Sequence, residues 1–487
     1  MLLKKTLHCD AHPVSDLQMK WLLLFCVIAS SALSGAESES AFWVWHRDTK
    51  LTTSEIKQLR VGQCDTLYWH VGNAAIRDGK WAGQGQWLAP DDGPSTNEIR
   101  CVPVLRGMLA GVKALPADHG GLLRLMQQAM ERWHSDEVQL DFDCPDRLLP
   151  DYVRQLAACR AEIRPARLSI TALAGWAALP VFETLQRSVD ELAPMFYDLE
   201  PDKPPDVVLG RLLPLLDQQG IKRHLDLWAR CKTPWRAGLP CFARISFFDA
   251  TGSSRGHVRE WLWDEPSFHA SLKALPVVGA GIALFDVTKD TTLHDAPLLK
   301  GQRVAVKRVD VKEAAHCVEL ARAAGARSVC WFRLPTASAS SGWSLAQTMS
   351  LSTAPPALSV FVGKETLMLE NTGTTDLPPS LMGKNDTQRG WQIELESAHE
   401  KPVFREITAG EFAHVGAHIE PDGAAQHEVP VPKATRLTLW LGDLKAGAAR
   451  RGGVFQLAPG FNPQSLRWRL RGPSIITPWQ PVKLNRP

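Results

Sequence analysis

The chain has 487 residues, 45% of them hydrophobic and 22% charged, which suits two or three globular domains with substantial cores. Fifty-five basic residues against 52 acidic ones leave a net charge of +3 with no long run of either sign. That excludes the clustered basic face of a nucleic-acid binder. Tryptophan outnumbers tyrosine 18 to 3; flat indole faces stack on sugar rings, although most such residues serve as core or interface.

The N-terminus predicts an exported protein. Met19-Lys20 precedes the apolar run 21–31 (WLLLFCVIASS), and Ser34-Gly35-Ala36 supplies small residues for cleavage near Ala36. Residues 1–36 therefore read as an extension plus signal peptide. That run is short for a bilayer span, so no stable membrane span is expected after its removal. Of the ten cysteines, those at 64, 101, 144, 159, 231, 241, 317 and 330 remain, without zinc spacing. One or two disulfides at most are expected, Cys231 with Cys241 being the nearest candidate.

From 37 to 337 short apolar runs alternate with helical stretches. Strands are predicted at 42–46, 66–71, 100–105, 138–143, 167–173, 192–198, 241–248 and 328–333. Helices are predicted at 121–134, 150–163 and 312–324 from their 3.6-residue apolar period. Eight strands alternating with helices over this length predict an α/β fold, a (β/α)8 TIM-like barrel. A doubly wound sheet competes less well, because no glycine-rich turn follows the first strand. Residues 251–310 read as an insertion with extra strands at 281–287 and 303–309. A Ser/Ala/Thr/Pro-rich linker occupies 338–356, and 357–487 alternates in short runs that predict a small all-β sandwich.

The most informative segment is Asp136–Asp143, DEVQLDFD. Alternate strand residues share a face, so Gln139, Asp141 and Asp143 point one way while Val138, Leu140 and Phe142 pack under the helices. Two carboxylates at i and i+2 raise one another's proton affinity, leaving a neutral acid able to donate. Met195-Phe196-Tyr197-Asp198 ends the sixth predicted strand, two βα units onward, and would project into the same mouth. No Gly-x-Ser-x-Gly elbow, phosphate loop or metal cluster is present, so no cofactor is expected.

DEVQLDFD resembles the fourth-strand signature D-G-x-D-x-D-x-E of family 18 glycoside hydrolases, and MFYD resembles that family's sixth-strand M-x-Y-D. Trp331, in VCWFR, matches the eighth-strand tryptophan beneath the sugar. The region 41–337 also resembles the bacterial domain of unknown function 3142. The resemblance implies Asp143 as general acid, Asp141 as the group assisting the substrate's acetamido, Tyr197 as its hydrogen-bonding stabiliser and Asp198 as support. Gln139 departs from the pattern, and so does Asp143, an aspartate where the family has glutamate. A two-carboxylate mechanism joining Asp143 to Asp198 or Asp249 stays open. Gln139, His70, Arg244 and Trp176 are further candidates for substrate contact, and His46, Trp69 and the pair Trp261 and Trp263 for lining a cleft.

The expected function is an exported glycoside hydrolase-like protein acting on a polysaccharide or amino-sugar glycan. The alternative is a non-catalytic carbohydrate-binding or envelope protein on a degenerate hydrolase barrel, its partner again a carbohydrate polymer or oligosaccharide.

Overall fold

Eight parallel strands close on themselves: β1 (Ser40–Val44), β2 (Cys64–Arg77), β3 (Arg100–Met108), β4 (Glu137–Asp141), β5 (Arg167–Leu173), β6 (Glu191–Met195), β7 (Arg236–Pro240) and β8 (Ser328–Phe332). Each pairs with the next, and β8 returns to β1, so the chain forms a TIM-type barrel followed by antiparallel sheets. The computed structural model describes residues 40–487 except 46, 48–49, 86, 89–98, 259–269, 278–280, 294–295, 337–341, 364, 381–389, 399–400, 420–426, 473–474 and 485–487. The expected signal peptide, His46, Trp261 and Trp263 lie outside the described residues.

Helices α1 (Thr53–Val61), α2 (Gly120–Trp133), α3 (Leu149–Ile163), α4 (Phe182–Arg187), α5 (Gln218–Trp228) and α6 (Val311–Ala323) follow strands of the barrel. Local chemistry starts several of them. Thr52 and Glu55 form a reciprocal capping box on α1, and Asp217 and Asp310 cap α5 and α6. Their apolar faces bury the outward residues of the strands, such as Val138, Leu140 and Phe142 of the fourth unit. Inward residues form a second cluster inside the barrel, with Ala41, Trp43, Tyr68, Val102, Val104, Ala193 and Cys330.

One expected barrel strand is misplaced. Residues 241–248 are not the seventh; Arg236–Pro240 holds that position between β6 and β8. The apolar Ala243–Phe248 instead pairs antiparallel with Arg303–Arg308 in a five-stranded sheet that includes Ile282–Val287. RAGLP looks like a poor strand because the barrel needs a small residue there. A Cβ on Gly238 would stand 2.8 Å from both the Trp43 ring and the Pro194 carbonyl oxygen.

Beyond the barrel, a four-stranded mixed sheet and a six-stranded antiparallel sheet enclose a core that includes Val360, Leu369, Leu395, Leu437 and Trp468. The stretch expected as a linker carries a helix, Leu345–Ser350, capped by Ser344 and burying Leu345, Gln347 and Thr348. All eight described cysteines are free, which corrects the expected Cys231–Cys241 disulfide. The Cys231 thiol donates to the Thr233 carbonyl, and Cys241 donates to that of Arg333. Among the described residues no helix is long and apolar enough to cross a membrane.

At the N-terminal end of the barrel, ions close the interior. Arg236, 1% exposed, donates through Nε to Glu191 at 2.7 Å and through both Nη atoms to Asp65 at 2.8 Å. Tyr68 donates to Glu191 at 2.8 Å, and Arg236 also reaches Ser328 at 2.9 Å. Arg100 pairs with Glu137 at 2.8 Å. Removing one member leaves a buried charge without its partner. Arg236→Met is expected to destabilise the protein by about 3–5 kcal/mol, read by urea unfolding. A loss below about 1 kcal/mol would mean that the network contributes little.

Candidate functional site

The opposite, C-terminal end of the barrel opens into a cavity of about 630 Å³. Its chemistry follows from the polarity of β4. Glu137, Gln139 and Asp141 project inward in ascending order, and each inward position meets a different environment. Glu137 meets the basal arginine Arg100. Gln139 is fully buried, accepting from Trp43 Nε1 at 2.7 Å and donating to Ser169 Oγ at 3.5 Å. It does not line the cavity, although the sequence suggested it as a substrate contact. Its amide is committed beneath the floor.

Asp141 and Asp143 both line the cavity. Asp141 is half-buried and accepts a hydrogen bond from Thr171 Oγ1 at 2.7 Å. Burial first, and the neighbouring Asp143 second, push its proton affinity up to about 6, against the pull of Thr171 and Arg106. Asp143 lies two residues beyond the strand, where the Cys144 amide bonds the Phe142 carbonyl at 2.6 Å. It is exposed at the rim by area. The enclosing cleft still removes enough water to raise its affinity, with Arg106 opposing. Both carboxylates therefore hold a proton more tightly than an ordinary aspartate does.

Tyr197 enters from beyond β6. Its ring stacks on Phe332 at 5.7 Å and 23°, and meets Phe242 edge-on at 5.8 Å. Burial, and then the charges of Asp141 and Asp143, hold its hydroxyl well above the usual phenol range, so it is a neutral hydrogen-bonding group facing the acid pair. The next residue, Asp198, adopts a left-handed backbone (φ 54°), a conformation short polar side chains tolerate. Both its carboxylate oxygens accept from the Arg244 guanidinium. Asp198 and Arg244 therefore line the cavity as a mutually satisfied pair. Asp249, the other carboxylate considered for a second role, lies in a surface turn bonded to Thr251 and Ser253, outside the cavity lining.

Three aromatic expectations divide. Trp176 lines the wall from the turn after β5, nearly fully buried, with its indole Nε1 unbonded among the described residues. Trp331 points away from the cavity into the helix-facing core, as does Trp69. A one-residue difference in register decides this: Phe332 faces inward, packing against Trp43 and Trp45. His70 stacks on Trp45 at 4.6 Å and contacts Asn73 Oδ1 at 3.1 Å, beside the cavity but outside its lining. Burial, opposed by that contact and reinforced by Arg106, lowers its proton affinity.

Sequence reasoning missed several lining residues. Trp43 is an inward residue of β1, Trp45 follows just beyond that strand, and Trp343 stands in the stretch expected as a linker, its amide bonded to the Cys241 carbonyl at 3.0 Å. Arg106 is the third inward residue of β3, after Val102 and Val104, and stands in register with Asp141. The period-two alternation of RCVPVLRGM carried the signal for it. His224 comes from α5, and burial lowers its proton affinity.

The family model described as "Domain of unknown function (DUF3142)" matches residues 118–337. A search of curated proteins finds no match. Among solved structures, the chain is similar to the Group IV chitinase of Ostrinia furnacalis, with 13% identity, a TM-score of 0.41 and coverage of 61% of this chain and 93% of that one. It is also similar to the spore cortex-lytic enzyme SleL of Bacillus cereus, at 12% identity and TM-score 0.39, covering 61% and 70%. A third, chitinase ChiA74 from Bacillus thuringiensis, has 9% identity and TM-score 0.37, covering 87% and 99%.

Proposed function

We propose that the protein is an exported glycoside hydrolase acting on a polysaccharide or amino-sugar glycan bound across the C-terminal mouth of the barrel. The observation that carries this reading is the pair Asp141, at the end of a barrel strand, and Asp143, just beyond it, lining one cavity with Tyr197. Aromatic surfaces of Trp45 and Trp343 line the same space and suit the faces of sugar rings. Export rests on the apolar run 21–31 and the small residues before 36.

In this mechanism Asp143, nearest the opening, donates the proton to the departing glycosidic oxygen. Asp141, deeper and fixed by Thr171, holds the proton between turnovers and stabilises positive charge as the bond breaks. Tyr197 hydrogen-bonds the group that closes on the sugar carbon; an acetamido carbonyl fits that role. Asp198 is engaged by Arg244, which favours substrate assistance over a second protein carboxylate. Its part is to fix the loop that carries Tyr197.

Removing a general acid typically costs 10²–10⁴-fold. Asp143→Asn is therefore expected to lower kcat on chitin or peptidoglycan fragments by about 10²–10⁴-fold while leaving fragment affinity near the wild-type value. Binding without turnover in the wild type would instead establish the carbohydrate-binding alternative.

Asp141 holds the proton that the acid uses, so activity should fall as Asp141 ionises, with pH rising through about 6. A profile flat from pH 5 to pH 8 would count against a raised proton affinity at this site. The same raised affinity affects stability. Folding favours protonated Asp141, so its ionised form is a penalty that grows as pH rises from 3.8 through about 6. Asp141→Asn keeps an oxygen for Thr171 and removes that penalty. It is expected to stabilise the protein by on the order of 1–2 kcal/mol at pH 7.5 and by nothing at pH 3.5. Paired thermal melts at the two values check the sign.

A further inference from the structure

We infer that Arg106 is a carboxylate-binding residue and that the sugar placed at the acid pair carries a carboxylate of its own; this rests on the glycan reading of the cavity. The charged side chains that line the cavity differ in their partners. Arg244 is engaged by both oxygens of Asp198. Arg333 donates to the Trp45 carbonyl at 3.2 Å. Asp141 is held by Thr171. Arg106 lines the cavity half-buried and bonds no acceptor among the described residues. Its charge is felt by Asp141, Asp143 and His70, yet none of the three makes an ion pair or hydrogen bond with it.

A guanidinium half withdrawn from water without an acceptor loses solvation that no protein group returns. Its planar fork of donors matches the two oxygens of a carboxylate better than a single hydroxyl. Position narrows the ligand further. Arg106 stands in register with Asp141 on the adjacent strand, so an anion on it belongs to the sugar at the acid pair rather than to a distant one. The stacked Trp45 and His70 rings lie on the β1–β2 side, giving that sugar an apolar face beside the guanidinium. The ligand chemistry is thus an acidic sugar, its carboxylate either on a lactyl ether, as in muramic acid, or at the ring, as in a uronic acid.

Calorimetric titration of the full chain at pH 5 and low salt tests this. One arm uses N-acetylglucosaminyl-N-acetylmuramic acid disaccharide and the other a hyaluronan tetrasaccharide, each against its carboxyl-reduced alcohol. The wild type is expected to bind one of the two acids at least about tenfold more tightly than its alcohol. That ratio should fall to about one in Arg106→Gln and to an intermediate value in Arg106→Lys, which keeps the charge and loses the fork. Equal binding of acid and alcohol by the wild type in both arms overturns the inference, as does a preference that survives Arg106→Gln. Should Arg106→Gln fail to fold, the wild-type comparison still decides. Acid-selective binding without cleavage would sink the hydrolase reading and keep this one. Cleavage of either glycan without acid preference would do the reverse.

Discussion

Closing eight strands into a barrel removes every sheet edge, and it also forces eight rows of inward side chains to satisfy one another in a narrow space. In this protein the inward residues solve that problem differently at each height. At the base, Glu191 has Tyr68 and Arg236 as direct partners, with Arg167 and Arg327 at 3.5 and 3.6 Å. In the middle, Trp43 fills the space that Gly238 leaves and anchors its indole on Gln139. At the top, Asp141 receives one hydroxyl and faces another carboxylate. The same strand therefore presents a charge that is neutralised at one end and an acid that is not at the other. The site is the level at which the barrel's own partners run out.

That gradient explains which parts were readable from sequence. β4 declared itself through strict alternation, and its carboxylates needed only the direction of the strand to be placed at the mouth. β7 did not, because the interior requirement there is for absence of bulk. RAGLP has no strand signature of its own, whereas CFARISFF has a strong one and uses it in another sheet. Strand propensity reports a pleated, half-buried surface, and it is silent about which sheet supplies that surface.

Trp331 illustrates the same limit at one residue's resolution. Its match to a tryptophan beneath a sugar depended on the phase of β8, and phase is set by the inward set Ser328, Cys330 and Phe332. The large tryptophan count points the same way. Trp43, Trp69, Trp176 and Trp228 are all fully buried, so abundance alone says little about ligand contact. What distinguishes the cavity residues is their level in the barrel. Arg106 escaped notice for a related reason: a lone arginine in an apolar run looks like a strand end, and only the parallel neighbour, Asp141, gives it a chemical setting.

The shorter acid at 143 also takes on a different meaning once its backbone is known. An aspartate in the plane of a strand falls short of a position that glutamate reaches. Asp143, however, is not in the strand, which ends at Asp141. The bond from the Cys144 amide to the Phe142 carbonyl makes Asp143 the centre of a three-residue turn, the residue such a turn thrusts outward. Phe142 holds the turn from behind, stacked on Tyr152 at 5.3 Å and pressed so closely over Gly107 that a Cβ there would meet its ring at 2.5 Å. Reach lost in the side chain is thus offset by projection of the main chain, and the packing that fixes Phe142 also fixes the position of the acid. Whether Asp143 serves as an acid therefore depends on the rigidity of this turn as much as on one methylene.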